Sequence, residues 1–253
     1  MKSSALPIVL LHGWASHPQV FRVPARALEK HYRVQVLALP GYGGTVDCTP
    51  YTLEKIADTL AATAPKHCAV VGWSLGAQVA LTWAQRKPAQ VQRLALIAGT
   101  PCFTQSTGWT DAVTPMVMRQ FTAAIKHDCS SVLRRFVALQ SQGDTRAVRV
   151  AHALRTALFT NPLPTQAVLE AGLEILRTVD LRDTLPALAQ PTLVLHGAND
   201  AVTPVAAGAA LAAMLPHARF HQIAGAGHAP FLAHADAVAL LLREFFDESR
   251  TTV

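Results

Sequence analysis

Six short, largely apolar runs, each ending at a turn that carries glycine, constrain this chain more than any other feature. They are "LPIVLLHGW", "RVQVLALPGYGGT", "CAVVGWSLG", "VQRLALIAGTP", "QPTLVLHGAND" and "ARFHQIAGAGH". A run that is apolar at successive rather than alternate positions cannot keep one face in water, so it reads as a strand covered on both faces, the environment of a parallel sheet. Helical periodicity separates the runs. "TLEKIADTLAATA" has Thr52 as a cap, "AQVALTWAQRKP" is stopped by Pro88, and "DAVALLLREFFDES" forms the last helix. Strands alternating with helices predict an α/β fold, a mostly parallel sheet with helices on both faces. Between the fourth and fifth runs the alternation stops. Residues at about 101–184 read as several helices without a strand, a helical cap inserted into a single domain that spans 1–253.

Composition agrees with a large buried core. Apolar residues make up 51% of the 253 and charged residues 15%, which excludes a disordered chain. A domain of this length buries roughly 70–75% of its unfolded surface, so neither a metal nor a disulfide is needed to hold it. Cys48, Cys68, Cys102 and Cys129 are scattered, without the pairing or the neighbouring histidines of a zinc site, and read as reduced thiols. The N-terminal apolar run is too short for a leader and lacks a small-x-small cleavage site, and nothing approaches the ~18 apolar residues of a membrane span. A cytoplasmic monomer is expected, with no cofactor, no metal and no nucleic-acid or membrane partner. "PGYGG" at 40–44 lacks the GK[ST] of a phosphate loop and reads as a tight turn. The net charge of +6 is concentrated. Residues 119–155 hold seven basic side chains against Asp128 and Asp144, a surplus of +5 that reads either as a solvated face or as a docking site for an acidic partner.

Gly72-Trp73-Ser74-Leu75-Gly76 matches G-x-S-x-G, with a strand before it and a helix after it. Serine in a turn is most often a helix cap. Here the turn is too tight for side chains at the two glycine positions, and it lifts the Ser74 hydroxyl to the carboxyl edge of the sheet. Serine needs a base, and in this architecture an acid and then a histidine follow it in chain order. Asp200 directly follows the fifth run and His228 the sixth, so both arrive at the same edge. Either alone would pass for a loop residue. The other candidates fit less well: His234 stands at a helix start, His221 inside a strand, His217 before it, and His196 within reach of local partners only. Asp180 and Asp183 close the cap. Backbone N–H groups of Trp14, in the turn after the first run, and of Leu75, at a helix N-terminus, are placed to hold an oxyanion. The Trp14 side chain is then free to shape the acyl site, and His12 reads as structural.

With "LLHGW", "LPGYGG", "GWSLG", "HGAND" and "GAGHAPF" in this order, the chain resembles the α/β-hydrolase family over its whole length. "TPCF" at 100–103, "RFVALQ" at 135–140, "GLEILRTVDLR" at 172–182 and "GHAPFLAH" narrow the resemblance to the pimeloyl-[acyl-carrier protein] methyl ester esterases of biotin synthesis. That resemblance implies hydrolysis of a methyl ester at the far end of a carrier-bound pimeloyl chain. It also implies an acidic acyl-carrier protein as partner, docked through cap arginines. Arg135 stands at a matching position, with Arg146 and Arg149, spaced i,i+3, nearby. The chain departs from the family in its few residues before the first strand, so the opening antiparallel strands are expected to be missing or shortened. Ala38 replaces a frequent acid, and Gly-Ala follows Leu75 where a second glycine is common. A generic carboxylesterase, a carbon–carbon bond hydrolase on the same triad, and a non-catalytic ligand-binding protein of this fold are the alternatives.

Overall fold

The computed structural model describes residues 5–248. Its six strands fall on the six apolar runs: β1 (Ile8–Leu11), β2 (Val34–Leu37), β3 (Cys68–Trp73), β4 (Val91–Ile97), β5 (Thr192–Gly197) and β6 (Ala218–Ile223). They form one sheet in the order β2-β1-β3-β4-β5-β6, and every pairing is parallel. Strands β1, β3 and β5 are buried at every position, which is why their sequences lack polar alternation. The edge strands differ as edges should: β2 is half-buried throughout, and β6 leaves Arg219, His221 and Gln222 in water. Among the described residues the sheet contains no antiparallel strand.

Helices α1 (Arg22–Leu28), α2 (Leu53–Thr63) and α3 (Leu75–Arg86) follow β1, β2 and β3. Thr52 Oγ1 accepts the Lys55 N–H at 3.3 Å and caps α2 as predicted. Helix α3 begins two residues earlier than its periodicity indicates, directly after Ser74, because the turn from β3 contains no spacer. Between β4 and β5 lie α4 (Pro115–His127), α5 (Cys129–Ser141), α6 (Ala147–Phe159) and α7 (Gln166–Thr178). Thr114, Asp128 and Thr165 each accept a backbone N–H three residues on, capping α4, α5 and α7. The first residues of the insertion, 101–114, are not helical. They form irregular turns tied by isolated bridges, Thr104 with Val113 and Ser106 with Trp109, and Trp109 Nε1 donates to the Cys102 carbonyl at 2.8 Å. The chain closes with α8 (Val205–Met214), α9 (Pro230–Ala233) and α10 (Ala235–Asp247). Buried side chains of the insertion and of the sheet form one continuous hydrophobic core.

One consequence of strand order positions everything else. From β1 the chain moves outward to β2 and then returns to β3 on the other side of β1, so the loops leaving β1 and β3 diverge. In open parallel sheets such a switch point opens a crevice at the carboxyl edge.

Candidate active site

Ser74 sits at that crevice with φ 56° and ψ −120°, a left-handed conformation rare for any residue but glycine. By position it precedes α3, yet its side chain makes no capping hydrogen bond, so it is not serving as a helix cap. The two flanking glycines are required by close approach. A Cβ on Gly72 would lie 2.3 Å from the Gly76 carbonyl oxygen, and one on Gly76 would lie 2.5 Å from the Leu11 carbonyl oxygen. The strand, the turn and β1 are thus packed backbone to backbone beneath the serine.

The loop after β1 lies against it. A Cβ on Gly13 would be 3.0 Å from Ser74 Cβ, which brings the neighbouring Trp14 backbone to the same crevice. His12 anchors this loop. Its Nε2 accepts the Leu39 N–H at 3.1 Å, so its proton resides on Nδ1, which donates to the Gly13 carbonyl at 2.9 Å. Burial drives its pKa down to about 4, keeping the ring neutral. The Trp14 indole is itself fixed, with Nε1 donating to the Leu169 carbonyl at 2.9 Å and the rings of Phe121 and Phe136 edge-on at 5.6 and 5.0 Å. Leu75 is the first residue of α3, so its N–H has no acceptor within the helix.

Asp200 and His228 meet at the other side of the crevice. His228 Nδ1 donates to Asp200 Oδ2 at 2.8 Å, and both residues are buried. Asp200 Oδ1 accepts the N–H groups of Val202 and Thr203 at 2.8 and 2.9 Å. Burial alone would raise the Asp200 pKa. Electrostatic attraction to the His228 ring and the hydrogen bonds from His196 and His228 outweigh it and hold the carboxyl well below the usual carboxylate range. His228 rests on Trp73, the residue before Ser74: the rings are 5.6 Å apart and Trp73 Nε1 donates to the His228 carbonyl at 2.8 Å. Among the described residues nothing hydrogen-bonds His228 Nε2, and Ser74 Oγ is not bonded to it in this conformation. Nucleophile–base links of this kind are often long until a substrate is bound.

Two buried groups that the sequence left without a role touch these loops. His196 packs and bonds locally, as expected: its Nε2 lies 2.8 Å from the Thr203 carbonyl and 3.2 Å from Asp200 Oδ2, which places the Asp200 carboxylate between two imidazoles. Asp144, counted from sequence as a surface charge of the basic segment, has a fully buried side chain. His217, His221 and His234, and Asp180 and Asp183, are not brought to the Asp200–His228 pair by any hydrogen bond; Asp180 pairs with Arg182 at 2.6 Å.

Next to the Trp14 indole is an apolar pocket walled by Phe103, Met118, Phe121, Phe136, Leu173 and Val202 among others. An outer groove between α4 and α5 shares Val117, Phe121, Phe136 and Leu139 with it, and Arg135 lines that groove. Arg135 and Arg149 are exposed. Arg146 differs from the expectation of a helix face: it stands at the N-cap of α6 and its guanidinium donates to the Ala233 carbonyl. Three of the family-like segments acquire a physical reason. Gly172 sits flush against the Trp14 ring, and Phe103 and Phe136 line the cavity. Among the described residues no cluster of three or more His, Cys, Asp or Glu side chains forms a metal site.

The chain belongs to the alpha/beta hydrolase family, whose fold model matches residues 7–235. Within it, this chain is 42% identical over 242 residues to the pimeloyl-[acyl-carrier protein] methyl ester esterase of Aromatoleum aromaticum, covering 94% of this chain and 96% of that protein. It is 38% identical over 226 residues to the enzyme of the same name from Nitrosomonas europaea, covering 89% and 90%. Among solved structures, an esterase from Exiguobacterium antarcticum superposes with a TM-score of 0.87 at 23% identity, covering 96% of this chain and 92% of that one. The enol-lactonase of Burkholderia xenovorans superposes with a TM-score of 0.81 at 22% identity, covering 96% and 92%. At that identity the structural matches speak to the fold.

Proposed function

We propose that this chain is a serine carboxylesterase that hydrolyses the methyl ester of a pimeloyl chain carried on acyl-carrier protein, releasing methanol and the free carboxylate. The observation that carries the chemistry is the buried Asp200–His228 pair with Nε2 left free beside the Ser74 turn. Ser74 Oγ gives its proton to His228 Nε2 as it attacks the ester carbonyl, and Asp200 stabilises the imidazolium that forms. The Trp14 and Leu75 N–H groups receive the oxyanion. Collapse expels methoxide, which takes the proton from His228 and leaves as methanol. Water then attacks the acyl-serine with His228 again as base; collapse releases the free acid, and Ser74 Oγ takes back the proton from His228.

The names of the relatives supply the substrate class, and three features are compatible with it. The cavity beside Trp14 suits a polymethylene chain, being lined by apolar side chains. The groove that adjoins it gives such a chain a way out between α4 and α5, where the helical insertion acts as a cap. Arg135, Arg146 and Arg149, all exposed, offer positive charge to an acidic carrier.

The test compares methyl pimeloyl-carrier protein with free methyl pimelate, using Ser74→Ala as control. A carrier-dependent esterase has a kcat/KM higher on the carrier-bound ester, and Ser74→Ala abolishes both reactions. Equal turnover of the two would make it a generic carboxylesterase. Stoichiometric labelling by a fluorophosphonate without turnover of either would make it a ligand-binding protein of the same fold.

A further inference from the structure

The loop that carries His228 runs on from β6, and besides the Trp73 bond to the His228 carbonyl its backbone is held from outside the sheet. The Gly225 carbonyl accepts the Thr145 N–H at 2.8 Å, the Gly227 N–H donates to Asp144 Oδ2 at 2.9 Å, and the His228 N–H donates to the Gln140 carbonyl at 3.3 Å. All three partners lie at the end of α5 or in the turn from α5 to α6. The same turn reaches the acid loop, where Asn199 Nδ2 donates to the Gly143 carbonyl at 2.8 Å. Asn199 N–H in turn donates to the Ala226 carbonyl at 2.9 Å, joining the two loops directly.

Asp144 is the side chain at the centre of this contact. Its carboxylate is fully buried, and a buried charge is tolerated only when its oxygens are bonded. Oδ1 accepts the Arg146 N–H at 2.7 Å, a local turn bond that a surface aspartate could make as well. Oδ2 is turned inward to Gly227, and His234 Nε2 lies 3.6 Å from Oδ1. The Arg146 guanidinium binds the Ala233 carbonyl beside it, so the turn grips the chain on both sides of His228.

We infer that Asp144 is a positioning residue for the reaction: through the Gly227 N–H it fixes the loop that aims His228 at Ser74. The inference rests on the Ser74–His228–Asp200 reading. His228 must keep Nδ1 on Asp200 while Nε2 faces the nucleophile, and a displacement of the loop by about 1 Å misaligns the second contact even if the first survives. The insertion between β4 and β5 therefore contributes to the base, not only to the acyl site.

The experiment measures hydrolysis of p-nitrophenyl butyrate, a probe too small to need a carrier. Rates are expressed per serine titrated to completion with a fluorophosphonate. Asp144→Ala is expected to lower kcat roughly 10–100-fold with KM within about threefold. Asp144→Asn keeps one acceptor for the Gly227 N–H and should restore part of the loss. A kcat per titrated serine within about twofold of wild type, whatever the melting temperature does, would reduce Asp144 to a purely structural role, as would a loss confined to KM. Should Asp144→Ala not fold, the same readout on Asp144→Asn and on Asn199→Ala decides. Turnover surviving in Ser74→Ala would overturn the triad itself. An inert Ser74→Ala beside normal Asp144 variants would overturn this inference alone.

Discussion

Helix α4 and the α5–α6 turn belong to the same insertion but are held in opposite ways. Of the thirteen residues of α4 only Met118 and Ile125 are buried, and Met116 and Val117 are 58% and 47% exposed. The turn buries a carboxylate and exchanges hydrogen bonds with the loops that carry Asp200 and His228. Few buried contacts make for low local stability, and a dense network of buried bonds for high. The insertion is therefore graded, with a loosely attached wall over the acyl cavity and a firmly attached end beside the histidine. Substitutions on the wall should alter binding, and substitutions at the anchored end and beneath it should alter the chemical step.

The largest effect is expected at the anchored side. Asp200→Asn should lower kcat roughly 10³–10⁴-fold with little change in KM, because the amide cannot stabilise the imidazolium; ester hydrolysis at saturating substrate measures this. His196→Phe removes a hydrogen bond to the ionised acid, worth about 1.5–3 kcal/mol, and should lower kcat about 10–100-fold. If His196→Phe instead changed KM alone, the division between wall and anchor would fail. His12 tests the loop beneath Trp14. Its pKa falls from 6.5 in the unfolded chain to about 4 in the fold, so the folded state binds fewer protons between those values. The stability it confers is complete above pH 6.5 and is lost as pH falls through 4, a decline of about 3 kcal/mol. Urea unfolding between pH 7 and 4 should show that slope, and His12→Gln should flatten it.

Smaller effects belong to the wall. Phe121→Ala opens the side of the cavity shared with the outer groove and should raise KM for long-chain esters about tenfold, with kcat nearly unchanged. Arg135→Glu should weaken use of a carrier-bound ester a few-fold and lose that effect at high salt, while leaving a free ester unaffected. A fall in kcat from Phe121→Ala would show that α4 is as firmly coupled to the base as the turn is.

The sheet and the positions of Ser74, Asp200 and His228 were readable in the sequence because each depends on a local pattern. A continuously apolar run specifies a doubly covered strand, and a residue just past a parallel strand must emerge at the carboxyl edge. The start of α3 was misjudged by two residues because the helix begins inside the motif that contains the serine. Irregular residues 101–114 carry no periodicity, so only their bridges define them. The role of Asp144, and the contact of His196 with Asp200, escaped for another reason. "QGDT" is an ordinary turn by composition, and what makes its aspartate special is Gly227, 83 positions away. His196 lies near the end of β5, and the loop after that strand bends back to bring Asp200 and the Thr203 carbonyl to its ring, a curvature that strand propensity does not encode. One signal was available: an acid among seven basic residues, as Asp144 is, is worth tracing to its partner.

The tether between the α5–α6 turn and the histidine loop also bears on how such proteins can be recombined. Exchanging the whole insertion between two relatives to transfer acyl preference would remove residues 140–145 from beneath the recipient's base. A chimera that replaces only α4 and leaves that turn native inherits a new cavity wall on an undisturbed catalytic frame.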